Sequence, residues 1–180
     1  MTEAFHAESW KFFVDTGGTF TDCLGLSPND ELIRAKVLSR GSLSAHALEI
    51  SGNKKVRISR NDDWPIDFPV GFSLSIGLPG MRKKIITGWN PSTCELELDH
   101  LLSEEGETLL GAIELESGWE APILAMRLIL ARSGLDWADV NTEMRLATTR
   151  CTNALLEGKG TLPVLFITAG FADLLDIGDQ

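Results

Sequence analysis

Apolar and polar residues alternate in three short runs near the start of the chain, and each run ends in residues that favour turns. Phe12 to Asp15 carries an apolar stretch into a carboxylate, and Gly17-Gly18 follows at once. Phe20 to Leu26 then sets out on a second run, Pro28-Asn29-Asp30 breaks it, and Leu32 to Leu38 forms a third. Strands of this length joined by tight turns predict an antiparallel meander. From about Ser39 onward helical periodicity disappears, while alternating runs recur between Gly, Pro, Asn and Asp. Ala47 to Ser51, Lys55 to Ser59, Phe72 to Ile76, Lys84 to Thr87, Glu95 to Leu98 and Leu109 to Glu116 are the strand candidates. They predict a small all-β barrel or sandwich inserted at residues 45–116, serving as a lid, a partner platform or a bulky decoration.

Helical signals return at Ser117-Gly-Trp-Glu-Ala-Pro122, where Pro122 suits a first turn. Ile123 to Arg132 is apolar almost all round except at Arg127 and Arg132, which predicts a helix packed on more than one side and ended by Gly134. Leu135 to Val140 reads as a short turn in which Trp137 packs. Glu143 to Thr148 reads as a strand and Thr149 to Gly158 as a helix. Leu162 to Thr168 reads as a second buried strand, and Phe171 to Ile177 as a further helix. Alternating strands and helices signal parallel βα units. The predicted fold is therefore α/β, a mixed five-stranded sheet with flanking helices built from residues 1–44 and 117–180, interrupted by the β-rich insertion.

Composition narrows the function classes. With 180 residues the chain fits one large or two small domains, and 43% hydrophobic with 23% charged residues is ordinary for a globular protein. Sixteen basic against 26 acidic residues give a net charge of −10, which argues against a general nucleic-acid or anionic-membrane surface. No apolar run reaches spanning length and no leader pattern is present, so the default is a cytoplasmic protein without membrane partners. Cys23, Cys94 and Cys151 are widely separated, as are His6, His46 and His100, which suggests neither a disulfide framework nor a zinc site. Cys151 has no neighbouring His or Lys to activate it and reads as inert.

Candidate chemistry concentrates at the first turn. Gly17 and Gly18 remove two Cβ atoms where a backbone must bend sharply or approach a ligand. Around them, Asp15, Thr19, Thr21 and Asp22 present carboxylates and hydroxyls, and the turn adds amide N–H groups. Amides and hydroxyls suit phosphate oxygens, whereas two carboxylates would repel a bare polyphosphate unless a cation lay between. Magnesium takes oxygen ligands, keeps several waters and bridges carboxylate to phosphate. A tight hairpin whose Asp and Thr merely satisfy turn amides is the simpler alternative.

Three stretches carry a family resemblance: Phe13-Val-Asp-Thr-Gly-Gly-Thr-Phe-Thr-Asp22, Thr148-Thr-Arg-Cys-Thr-Asn-Ala-Leu-Leu-Glu-Gly-Lys-Gly160, and Thr168-Ala-Gly-Phe-Ala-Asp-Leu-Leu-Asp-Ile-Gly178. In order and spacing the chain resembles the N-terminal domain of the hydantoinase A and 5-oxoprolinase family, within the ribonuclease-H-like, actin-like ATPase superfamily. The chain departs from the family pattern at Thr16 and Ala169, where Arg is usual, and at Ala147, where Gly is frequent. The resemblance implies an ATP-dependent hydrolase that opens cyclic amides by phosphorylating the amide oxygen. It implies that Asp15 holds magnesium, that Gly17, Gly18 and Thr19 approach the phosphates, and that Thr21 and Asp22 order the turn or reach the metal. Thr149, Thr152 and Asn153, at a strand end and helix start, would face the same cleft or else simply cap the helix. It further implies partners in the remainder of a larger subunit and in a hydantoinase B-like subunit or domain, so the chain alone is expected to bind nucleotide weakly and turn nothing over. Two other classes stay open at this point: a nucleotide-driven regulatory switch of the same fold, and an interaction module centred on residues 45–116.

Overall fold

The computed structural model describes residues 9–51, 54–59, 64–75, 83–100, 110–162 and 164–171. The chain divides into two compact units, residues 1–150 and 151–180.

The first unit opens with the expected meander: β1 (Trp10–Thr16), β2 (Phe20–Leu26) and β3 (Leu32–Leu38), each antiparallel to its neighbour. Burial alternates along β1, so that Trp10, Phe12, Val14 and Thr16 point inward while Lys11, Phe13 and Asp15 are exposed. This is the period of two expected of a sheet with one covered face. Five strands, β4 (Ser42–Ser51), β5 (Lys55–Ile58), β6 (Ser73–Ser75), β7 (Lys84–Asn90) and β8 (Glu95–Leu98), follow, and β9 (Gly111–Glu116) closes the series. Each falls within or overlaps a predicted run, although β4 begins at Ser42, ahead of the predicted Ala47. Ile76 and Leu109, at the ends of two predicted runs, lie outside the described residues.

Backbone pairing makes one sheet in the order β10-β1-β2-β3-β4-β5-β8-β7-β6-β9, with β4 also bonded to β9. The pairings of β4, β5, β8, β7, β6 and β9 therefore return on themselves. Val56, Ile58, Leu74, Ile86, Leu96, Leu98, Ile113 and Leu115 from these strands are almost wholly buried. The link to the meander is narrow, because β3 and β4 share only the register pair Leu38↔Ser42. The chain leaves and returns at one place: Ser117 N and Oγ both donate to Gly41 O, at 3.2 and 2.7 Å, and Ser42 is the register partner of Glu116. Gly41 has φ +80°, and a Cβ there would lie 2.0 Å from Trp119 O, so only glycine fits.

Helix α1 (Ala121–Arg132) packs against β1, β2 and β3. Pro122 sits in its first turn, and the helix ends as predicted at Gly134, whose φ of +71° lets Leu135 N reach Leu130 O at 3.0 Å. No residue of α1 is exposed. Its sheet side approaches so closely at Gly25 that a Cβ there would meet Ile129 Cγ2 at 2.8 Å. On another side, the Arg127 guanidinium lies over the Trp119 ring at 4.3 Å and the Trp137 ring at 5.3 Å, which accounts for an arginine in the middle of an otherwise apolar helix. Trp137 belongs to a short 3-10 turn, Trp137–Asp139. Beyond it, β10 (Thr142–Thr148) joins the edge of β1 in parallel, giving the mixed pairing expected of a βα unit.

α2 (Arg150–Leu156) begins at the boundary between the units, and the chain turns after it at Gly158, with φ +62°. Here the structure corrects one prediction. Leu162 and residues 164–168 form no strand, and Leu162 and Phe166 are 89% and 92% exposed. An apolar run records a demand for burial, but a strand also needs a neighbour that shares its hydrogen bonds, and among the described residues this run pairs with none. The five-stranded sheet predicted for the α/β portion is accordingly four strands, β10-β1-β2-β3, continuing into β4. Phe171 is not helical, and the rest of the helix predicted over Phe171 to Ile177 lies outside the described residues.

Candidate functional site

Register, not sequence proximity, assembles the site. Ala147, Asp15, Asp22 and Lys36 are Cα partners across β10, β1, β2 and β3, so they form one row on the face turned away from α1. Asp15 and Asp22 are thus directly opposite each other, immediately before and after the glycine turn, and both are exposed. Like charges so placed are unfavourable without a cation. Lys36 supplies part of one, with Nζ 3.5 Å from Asp22 Oδ2 and 4.8 Å from the centre of the Phe20 ring. Behind the carboxylates on the same face lies a hollow of about 370 Å³ lined in part by Phe13, Leu24 and Arg145, with Asp15 and Asp22 at its wall.

The turn itself is tightly tied. Gly17 N donates to Phe20 O at 3.0 Å, Ser39 N donates to Thr19 O at 2.9 Å, and Ser39 Oγ donates to Gly17 O at 2.9 Å. Thr21 is fully buried, its hydroxyl 3.1 Å from that of Ser39. Thr21 therefore orders the turn from the covered face, while Asp22, next to it, points the other way. Among the described residues the amides of Gly18 and Thr19 donate to no protein acceptor, and the buried Thr16 hydroxyl has no hydrogen-bond partner. A pocket of about 240 Å³ borders these amides, lined by Gly18, Thr19, Leu38, Ser39 and Arg40. Ser39 and Arg40 were not visible as site residues in the sequence. They lie about twenty residues beyond the turn, and only the β2–β3 register delivers them to it.

Thr149 reaches the turn as well. Its amide donates to Thr16 O at 3.3 Å, beside Thr148 Oγ1, which donates to the same carbonyl at 3.1 Å. Of the residues singled out in the sequence, Asp15, Gly17, Gly18, Thr19, Thr21, Asp22 and Thr149 come together in the first unit. Thr152 and Asn153 lie in the second, in α2.

Among the described residues no group of three or more His, Cys, Asp or Glu could hold a metal by itself. Two carboxylates are nevertheless a fitting set for magnesium, which is usually held by one or two carboxylates, waters and substrate phosphates rather than by a protein cage. The unengaged amides fit phosphate oxygens in the same way. Cys23 takes no part, because burial pushes its thiol up to about 12 and keeps it protonated and unreactive. Among the described residues no helix is long and apolar enough to cross a membrane.

No curated protein and no solved structure matches the chain. One family model does, over residues 97–180, just under half of the chain: the hydantoinase/oxoprolinase N-terminal region. The match begins after the glycine turn and takes in both later stretches, Thr148 to Gly160 and Thr168 to Gly178. The stretch at Phe13 to Asp22 precedes them, and residues 97–180 are similar to the hydantoinase/oxoprolinase N-terminal region.

Proposed function

We propose that the chain is the N-terminal part of an ATP-dependent hydrolase of cyclic amides, 5-oxoproline or hydantoin type, and that its glycine turn holds the magnesium-bound phosphates. The juxtaposition at the turn carries this reading: two opposed carboxylates, Asp15 and Asp22, flank a bend whose Gly18 and Thr19 amides are unengaged. Bound ATP would supply the phosphoryl group that makes the amide oxygen a leaving group, since an unactivated amide is a poor electrophile. The chain's own residues then bind and orient. Asp15, with Asp22 beside it, would hold magnesium through oxygen or water, while Gly17, Gly18 and Thr19 come up to the phosphates without a Cβ in the way at either glycine. Ser39 and Thr21 keep the bend rigid, so the amides need no reorganisation when charge develops. Thr149 lies within reach of the same carbonyl that ends β1, and Thr152 and Asn153 are further candidates for nucleotide binding.

Several features support the remaining parts of the proposal. A meander with a parallel strand added beside β1, and a helix crossing between them, fits a ribonuclease-H-like half-domain made of residues 1–44 and 117–180. The self-returning pairings of β4 to β9, reached and left through Gly41 and Ser117, fit an inserted barrel over residues 45–116. The remaining half of the nucleotide site, and a hydantoinase B-like partner, would come from elsewhere in a cytoplasmic assembly.

The test is Asp15→Asn in the complete enzyme that contains this chain. The expected result is a fall of about 100-fold or more in ATP-dependent ring opening with a melting temperature no lower than that of wild type, because removing one of two directly opposed like charges does not weaken the fold. Retention of the wild-type rate would overturn the magnesium role.

A further inference from the structure

We propose that Arg40 is an anion-binding residue of the glycine turn, held in reserve by Glu114, which acts as an internal stand-in for the bound anion. This rests on the nucleotide role of the turn and goes beyond it by naming the cation that meets the phosphates and the group that competes for it.

Four observations lead there. The pocket beside the turn is walled by Gly18, Thr19, Leu38, Ser39 and Arg40, so Arg40 and the two residues with unengaged amides border one space. Its volume of about 240 Å³ is below the ~300 Å³ at which pockets for whole drug-sized ligands begin, which suits a phosphate tail and not an entire nucleotide. Arg40 directly follows Ser39, whose amide and hydroxyl bind Thr19 O and Gly17 O, so the backbone that bears the guanidinium is fixed to the turn. The guanidinium itself is not fixed: its side chain is 64% exposed, and it is paired with the Glu114 carboxylate, which also accepts from Ser42 Oγ at 3.1 Å. Exposed pairs of this kind are worth little and exchange readily. When an anion takes the guanidinium, Glu114 keeps the Ser42 hydroxyl, so no charge is stranded without a hydrogen bond. On a chain of net charge −10, a local cation at the turn is what a phosphate site requires. Arginine provides planar, forked donors for phosphate oxygens. Lys36, the other nearby cation, is turned to Asp22 on the carboxylate row.

The experiment is a titration of the 180-residue chain, followed by NMR or calorimetry, with two probes: Mg-ATP, and tripolyphosphate without magnesium. Four proteins are compared, namely wild type, Arg40→Ala, Arg40→Lys and Glu114→Gln. The proposal predicts that both probes bind, that Arg40→Ala weakens each by about 10-fold or more, that Arg40→Lys recovers part of the loss, and that Glu114→Gln tightens binding by about 3-fold. A merely structural role for the pair would make Glu114→Gln weaken binding or leave it unchanged, and either result overturns the stand-in. Mg-ATP binding with equal affinity in wild type and Arg40→Ala overturns the role of Arg40 while leaving the nucleotide site intact. Tripolyphosphate binding that depends on Arg40, without any response to Mg-ATP, keeps the anion site and overturns the nucleotide function. Failure of both probes at millimolar concentration overturns both. Should Arg40→Ala fail to fold, the direction of the Glu114→Gln effect still decides.

Discussion

Single side chains and missing side chains set the geometry of this molecule at a few points. Gly41 is the strictest. Its φ of +80° is already unfavourable for other residues, and the space that a Cβ would need is taken by Trp119 O at 2.0 Å. Gly41→Ala is therefore expected to destabilise the chain by about 2 kcal/mol or more, read as a lowered urea midpoint, because backbone and not a flexible side chain must move. Unchanged stability would mean that the contact between the Gly41 and Ser117 regions is looser than the two hydrogen bonds indicate. At the glycine turn, Asp15 and Asp22 were legible in the sequence because an acid, two glycines, hydroxyls and another acid stand together. Ser39 and Arg40 were not, since nothing in Ser39-Arg40 itself marks it, and a partner brought in by strand register has no local signature. Thr21 was legible as polar but not as buried. The period of two along β2 puts it on the covered face with Cys23, and only the Ser39 hydroxyl opposite makes that position tolerable.

At the level of elements, the alternating runs were readable because one face of each strand is covered and the other is not. β2 and β3 fall on the predicted residues end to end. α1 was readable for the opposite reason: it is apolar on nearly every side because sheet, Trp119 and Trp137 together surround it. Leu162 and residues 164–168 are apolar without forming a strand. Apolarity can be read along one segment, whereas pairing requires a second segment and cannot. The closeness of α1 to the sheet gives a test at this scale. Adding a methyl group at Gly25 would press on Ile129 Cγ2 at 2.8 Å and Phe12 Cε1 at 3.0 Å. Gly25→Ala is expected to cost about 1–3 kcal/mol in a thermal or urea unfolding series, and to cost less in a chain that also carries Ile129→Ala, which removes Cγ2 from the contact. Simple additivity of the two losses would show that helix and sheet do not meet there.

On the scale of the whole chain, the strands that carry the turn and the strands β4 to β9 are joined at Gly41, Ser42, Glu116 and Ser117. Replacing residues 45–116 by a short glycine-containing linker should leave a folded remainder, since Gly41 and Ser117, both retained, are already hydrogen-bonded to each other close to the cut. The remainder should unfold cooperatively but at a lower temperature, because Phe72, which meets the Trp119 ring edge-on at 5.5 Å, leaves with the excised part. A remainder without a cooperative transition, or without dispersed amide NMR signals, would show that the buried cluster shared by both portions cannot be divided.

The crossing point has one more consequence. A guest fold threaded through a single knot can wobble without disturbing its host, but here the knot is flanked by Arg40 and clasped through Glu114 of the guest's last strand. If an anion draws that guanidinium toward the bend, the guest loses one tether beside the knot while the bonds between Gly41 and Ser117 still hold it, so occupancy of the bend would register as a loosening next to the crossing.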